Sequence, residues 1–149
     1  MRKIFKSLFS STGVTIEKEV QTVASKYEKS GLTLAEAVEI KKEIEIAFEL
    51  DKLYKGNSVG LADLSQYICR DRYKVSQVLN EYMFKNFYAI LNQYRISEAK
   101  DLLLSHPSLS VKAIMYEVGF NSKTSFYSAF KKETGLSPND FRNLTLFAS

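Results

Sequence analysis

The side chains of this chain best suited to chemistry are hydrogen-bonding ones, not nucleophiles or metal ligands. The only histidine, His106, precedes Pro107 and has no motif-level partner. The only cysteine, Cys69, rules out an internal disulfide framework. No glycine-rich phosphate loop and no spaced set of metal ligands is present. An enzyme is therefore the least supported class, and no cofactor or metal is implied. A pattern repeats instead. Leu61, Leu64 and Ile68 match Val111, Ile114 and Val118, each the i, i+3, i+7 stripe of a short helix. A polar turn follows in each copy. A second helix comes next, with Val75, Val78 and Leu79, or Phe126, Ala129 and Phe130, on its inner face. From turn to final anchor the second copy is one residue longer. Helix, tight turn, helix is a plan whose second helix can enter a DNA major groove and meet base edges there.

The second copy also carries a specific string: Glu117, Gly119, Phe120, Phe126, Phe130, Lys131, Lys132, Thr134, Gly135, Ser137, Pro138, Phe141 and Arg142. Asn86 and Phe87, then Tyr94, Arg95, Ile96, Glu98, Ala99 and Lys100, precede it. In these residues the chain resembles the AraC-type (AraC/XylS) family of transcription regulators, over about residues 58 to 145. The resemblance implies an all-α, seven-helix DNA-binding domain: two helix-turn-helix units joined by a long linker helix. It implies double-stranded DNA as partner, read with sequence specificity, and RNA polymerase as a second partner.

Carried over by position, the first unit would meet DNA through Arg72, Tyr73, Ser76, Gln77 and Asn80, with Lys74 on a phosphate. Gln77 and Asn80 can pair with adenine edges, and Arg72 with guanine or phosphate. The second unit would use Lys123, Thr124, Ser125 and Ser128, with Asn121 and Ser122 in the turn and Lys131 and Lys132 adding charge. Ser128 stands where many relatives carry a long basic side chain. Its short hydroxyl discriminates poorly between bases, so the second unit is expected to make mainly backbone contacts, which position without specifying. The competing reading is a helix-turn-helix-shaped protein-interaction module without sequence-specific readout.

The elements that must hold these residues follow from caps and breaks. The first helix-turn-helix is expected over about 61–82, the linker helix over 86–105, the second helix-turn-helix over 111–134, and a terminal helix from 138. The two reading helices are expected over Arg72 to Tyr82 and Lys123 to Glu133. Asn86 and Ser110 are capping residues, and Gly60 is a weaker one. His106 before Pro107 ends the linker helix. Ser137, Pro138 and Asp140 open the last helix. Cys69 takes the turn position of Gly119 and is expected to be partly buried.

Residues 1–57 read as a helical extension or linker, with helices over about 15–29 and 33–54. Ile16, Val20, Val23 and Tyr27 stripe the first; Ala37, Ile40, Ile44, Ala47 and Phe48 stripe the second. Thr33 and Glu36 suggest a capping box. The extension lacks the alternating strand pattern of a β-barrel sensor. Three roles stay open: packing on the DNA-binding unit, forming a homodimer, or linking to a further part. DNA binding is expected to need only about residues 56 to 149.

Composition agrees with this class. The 149 residues are 45% hydrophobic and 26% charged, and the net charge is +4. Residues 58 to 149 hold 11 Lys/Arg against 8 Asp/Glu, so most of the positive excess lies in the second part. No run approaches the roughly 20 apolar residues of a membrane span. A reducing, cytoplasmic setting is the expectation.

Overall fold

Capping side chains mark most helix starts in the computed structural model, which describes residues 30–148. Thr33 accepts from the Glu36 N–H at 3.2 Å and opens α1 (Leu34–Glu49). A short 3-10 turn (Leu53–Lys55) follows. The first helix-turn-helix is α2 (Leu61–Tyr67) and α3 (Arg72–Gln77), the latter capped by Asp71 and running on as a π-helical turn (Val78–Tyr82). Asn86 caps the linker helix α4 (Phe87–Ser105). Ser110 caps α5 (Val111–Glu117) and Ser122 caps α6 (Lys123–Thr134), the second helix-turn-helix. The Ser137 hydroxyl accepts from the Asp140 N–H at 3.1 Å at the start of α7 (Pro138–Ala148). Among the described residues there is no strand. The helix expected over about 15–29 lies outside the described residues.

Two apolar cores sit at the two ends of α4. The first joins Phe87, Ile90 and Leu91 of α4 to Leu64 of α2, to Val75, Val78 and Leu79 of the α3 region, and to Ala37, Ile40, Ile44, Ala47 and Phe48 of α1. The second joins Ile96, Ala99 and Leu103 of α4 to Ile114, Met115 and Val118, and to Phe120, Phe126, Ala129 and Phe130. At 1.5 Å per residue, α4 spans about 28 Å, long enough to serve one unit at each end.

The structure departs from the sequence reading in several places. The second expected helix does not run through to residue 54: α1 stops at Glu49, and Lys52 takes a left-handed φ of 52°. That break turns Tyr54 inward, where its ring stacks on Tyr94 at 6.1 Å. Thr33 forms its half of the expected capping box, but the Glu36 carboxylate faces Lys74 instead of the Thr33 N–H. The last turn of the first reading helix is wound wider than α: Met83 N–H donates to Val78 O at 3.0 Å, an i to i−5 bond. Cys69 is exposed, not partly buried, and holds a φ of 54°.

The seven α-helices implied by the resemblance are present only if α1 is counted. Six of them lie C-terminal to residue 58. The striped face of α1 is covered by the first helix-turn-helix, so of the roles left open for this segment, packing on that unit is the one seen.

Candidate nucleic-acid interface

The two turns repeat each other bond for bond. Ile68 N–H donates to Leu64 O at 3.0 Å, as Val118 does to Ile114. Cys69 donates to Gln66 O at 3.1 Å, as Gly119 does to Tyr116. Arg70 donates to Ser65 O at 3.0 Å, as Phe120 does to Met115. The extra residue of the second copy falls after this point, before Ser122. Each turn therefore ends its first helix in the same backbone frame, and the second helix starts one residue later in the second copy.

The equivalent side chains are used differently. Phe120 is buried in its own unit, 5.2 Å from the Phe126 ring. Arg70, in the matching slot, reaches out to α1. Its Nε and Nη2 donate to the two carboxylate oxygens of Glu43 at 2.9 and 2.7 Å, and Nη2 also meets Glu39 at 3.4 Å. These bonds, Glu43 first, raise the guanidinium pKa further. A paired guanidinium fork thus fixes α1 to the first turn, where the second unit uses an apolar plug.

On α3, Arg72 and Tyr73 are exposed at the helix start, with the Arg72 guanidinium 5.6 Å from the Tyr73 ring centre. Ser76, Gln77 and Asn80 are half-buried along one side. The Asn80 amide donates to Ser76 O at 2.9 Å. The Gln77 Oε1 accepts from the Ser30 hydroxyl at 2.5 Å, and its Nε2 donates to Glu81 at 2.9 Å. Lys74 lies apart from this group. Its ammonium is held by both Glu36 oxygens of α1, at 2.9 and 3.0 Å.

On α6, Lys123, Thr124, Ser125 and Ser128 are exposed, as is Asn121 in the turn. Ser122 is half-buried, and its hydroxyl caps the helix by accepting from Ser125 N–H at 3.4 Å. Lys123 holds its ammonium 5.3 Å from the Tyr127 ring centre. Lys131 and Lys132 are exposed in the last turn, where positive charge also complements the helix dipole. A groove of about 420 Å³ between α5 and the start of α6 brings together Lys112, Asn121 and Lys123 above Met115 and Phe126. Lys112 was not among the residues picked out from sequence. Its equivalent in the first copy is Ala62, so the repeat gave no hint of it.

The joint between the units is built around Arg95 of α4, which is buried. Its Nε donates to Tyr54 O at 2.8 Å and its Nη2 to Gly56 O at 2.7 Å. Its guanidinium also lies 5.2 Å from the Phe120 ring centre in the second unit. Burial lowers its pKa, because the charged form is desolvated. The Tyr54 hydroxyl donates to Glu98 at 3.4 Å; burial first, and then the Glu98 charge, push it up to about 12. Lys55 reaches Glu117 of α5 at 3.2 Å. Residues 54–56, ahead of the first helix-turn-helix, are thereby held against both α4 and the second unit. The Arg95 signal in the sequence was only its place in the family string, which gave it no role.

Among the described residues there is no group of three or more His, Cys, Asp or Glu that could hold a metal. No helix among them is long and apolar enough to cross a membrane.

Comparison with known proteins places this geometry. Residues 64–144 match the family model described as a helix-turn-helix domain. The chain is 32% identical over 82 residues to the arabinose operon regulatory protein of Escherichia coli strain K12, covering 55% of this chain and 28% of that protein. It thus spans less than a third of the length of that relative. In structure it is similar to the C-terminal domain of AraT, a response regulator from Geobacillus stearothermophilus, with TM-score 0.62 and 24% identity over 70% of this chain and 84% of that one. It is similar in fold to the DNA-binding domain of AdpA, solved in complex with a target DNA, with TM-score 0.60 and 19% identity over 70% and 90% of the two chains.

Proposed function

Because the chain belongs to the AraC-type helix-turn-helix family, a family of DNA-binding transcription regulators, we propose that it reads one double-stranded DNA site with α3 and α6 in successive major grooves. The observation that carries this is the bond-for-bond repeat of the two turns, each launching a helix with an exposed polar start. The solved complex of the similarly folded AdpA domain with its target DNA supports the same use of the fold.

In the first unit, Arg72 meets guanine or phosphate, Gln77 and Asn80 meet base edges, and Tyr73 and Ser76 contact the backbone around them. In the second, Asn121, Ser122, Lys123, Thr124, Ser125 and Ser128 make mainly phosphate contacts, and Lys131 and Lys132 contribute charge. Lys112 joins them, because it shares a groove with Asn121 and Lys123. Lys74 is not assigned a phosphate, since Glu36 already holds it. RNA polymerase is a partner on the family's role in transcription, and a cytoplasmic location goes with that role. Pairing of two chains through α1 would use the exposed Leu34, Val38 and Ile46, because the opposite face is covered within the chain.

The alternative, an interaction module without base readout, draws support from the internal pairing of Lys74. Selecting bound sites from a random DNA pool, at two salt concentrations, separates the two. The proposal expects two blocks of base preference and binding that weakens with salt. It also expects Gln77→Ala to flatten the first block and Ser128→Ala to change little. A pool that stays random after selection would favour the interaction module.

A further inference from the structure

The turn that leads into α1 touches the reading helix of the first unit. Leu32 N–H donates to the Ser30 hydroxyl oxygen at 3.4 Å. That hydroxyl donates to Gln77 Oε1 at 2.5 Å, and Gln77 Nε2 donates to Glu81 at 2.9 Å. Gly31 lies between Ser30 and Leu32 with a φ of 66°, a left-handed conformation that lets the turn double back. Ser30 and Gln77 are 47 positions apart in sequence.

We propose that Ser30 is a specificity-determining residue: it positions the Gln77 amide for base reading without touching DNA itself. The inference rests on the reading of Gln77 as a base contact.

The chemistry of the amide supports presentation. A glutamine amide has two N–H donors and two carbonyl lone pairs. Glu81 is an acceptor only, so it fixes which end of the amide is nitrogen. Ser30 occupies one lone pair of the oxygen. One N–H and one lone pair are left over, the count of donor and acceptor that a two-bond contact to an adenine edge requires. A glutamine free to sample its rotamers would lose that freedom on meeting a base. Gln77, held at both ends, has lost it already. The same arrangement makes base reading in the first unit sensitive to a residue on the N-terminal side of α1, far from that helix in sequence.

The test compares Ser30→Ala, Ser30→Thr, Gln77→Ala and the double variant Ser30→Ala/Gln77→Ala in the full chain. Each is measured for base preference over a randomised site, for affinity to non-specific DNA and for thermal unfolding. Gln77→Ala should erase preference at the position it reads. Ser30→Ala should weaken preference at that position about three- to tenfold, the scale of one hydrogen bond, with non-specific affinity unchanged and unfolding stability lowered by no more than that one bond. Ser30→Thr, which keeps the hydroxyl, should retain the original preference. The double variant should match Gln77→Ala. If Gln77→Ala erases a preference that Ser30→Ala leaves intact, the positioning role is overturned while the reading of Gln77 stands. A sharper preference in Ser30→Ala would mean that the hydroxyl withholds the amide, and would overturn it too. If Gln77→Ala alters no position, the reading of Gln77 falls and the proposal with it.

Discussion

Arg95 of the linker helix donates from Nε to the carbonyl of Tyr54, in the turn ahead of the first helix-turn-helix, at 2.8 Å. The same guanidinium reaches Gly56 O and packs on Phe120, so one buried side chain ties the linker helix, the turn ahead of the first unit and the second unit's turn. Its partners are neutral carbonyls, not carboxylates. The arrangement depends on a planar fork with separate donors, which lysine does not have.

Arg95→Ala is therefore expected to lower unfolding stability by about 2–3 kcal/mol, because it leaves two carbonyls without donors. Arg95→Lys should recover less than half of that loss. Urea unfolding followed by far-UV circular dichroism reads both. Equal stability of Arg95→Lys and the parent would argue against the fork.

Gly119 and Cys69 occupy the same turn position and should respond in opposite directions. A Cβ at Gly119 would lie 2.5 Å from Tyr54 O and 2.9 Å from Arg95 Nε, at a φ of +104°. Gly119→Ala should cost more than about 2 kcal/mol through strain and clash at the joint. Cys69 is exposed with a φ of 54°, a conformation that costs an L-residue roughly 1 kcal/mol. Cys69→Gly should be neutral or slightly stabilising. Melting temperatures of the two variants, side by side, decide it.

These two positions also show how much the sequence made legible. The repeat, the caps at Asn86, Ser110 and Ser137, and the apolar stripes were readable because each depends on residues within one or two helical turns. The helix-breaking left-handed Lys52 was not, since nothing in the residue type announces it. The roles of Arg95, Lys74 and Ser30 were hidden for another reason: each is set by a partner 38 to 47 positions away. In the sequence Lys74 is simply a cation two positions after Arg72. Only the packing of α1 shows that its charge is already met by Glu36.

The packing of α1 makes it part of the first folding unit. Ile40, Ile44 and Phe48 are fully buried in the first core. This burial argues against the expectation that residues 56–149 suffice for DNA binding: we expect a fragment of residues 56–149 to lose the first unit's structure, which the full chain keeps. Within the full chain, Ile44→Ala should cost about 2–5 kcal/mol, the usual range for such a truncation in a core. Amide hydrogen exchange on the full chain and on this fragment checks it; protected α2 and α3 amides in the 56–149 fragment would refute it.

Lys74 and Arg72 should separate in their salt dependence. Removing a cation that neutralises a phosphate lowers the slope of log affinity against log salt by about one. Arg72→Ala should do so. Lys74→Ala should change the slope little, because its ammonium is spent on Glu36. Glu36→Gln should free Lys74 and steepen the slope. Binding isotherms at four or five salt concentrations suffice to rank the three variants.

The central claim is that one chain reads one DNA site with two helices held in fixed register. Hydroxyl-radical footprinting of the full chain on a selected site tests it most directly. The account predicts two protected patches on one face of the duplex, roughly 34 Å apart. It predicts that Arg72→Ala weakens one patch and Lys123→Ala the other. A single protected patch, or two patches that both respond to the same one of these substitutions, would contradict it.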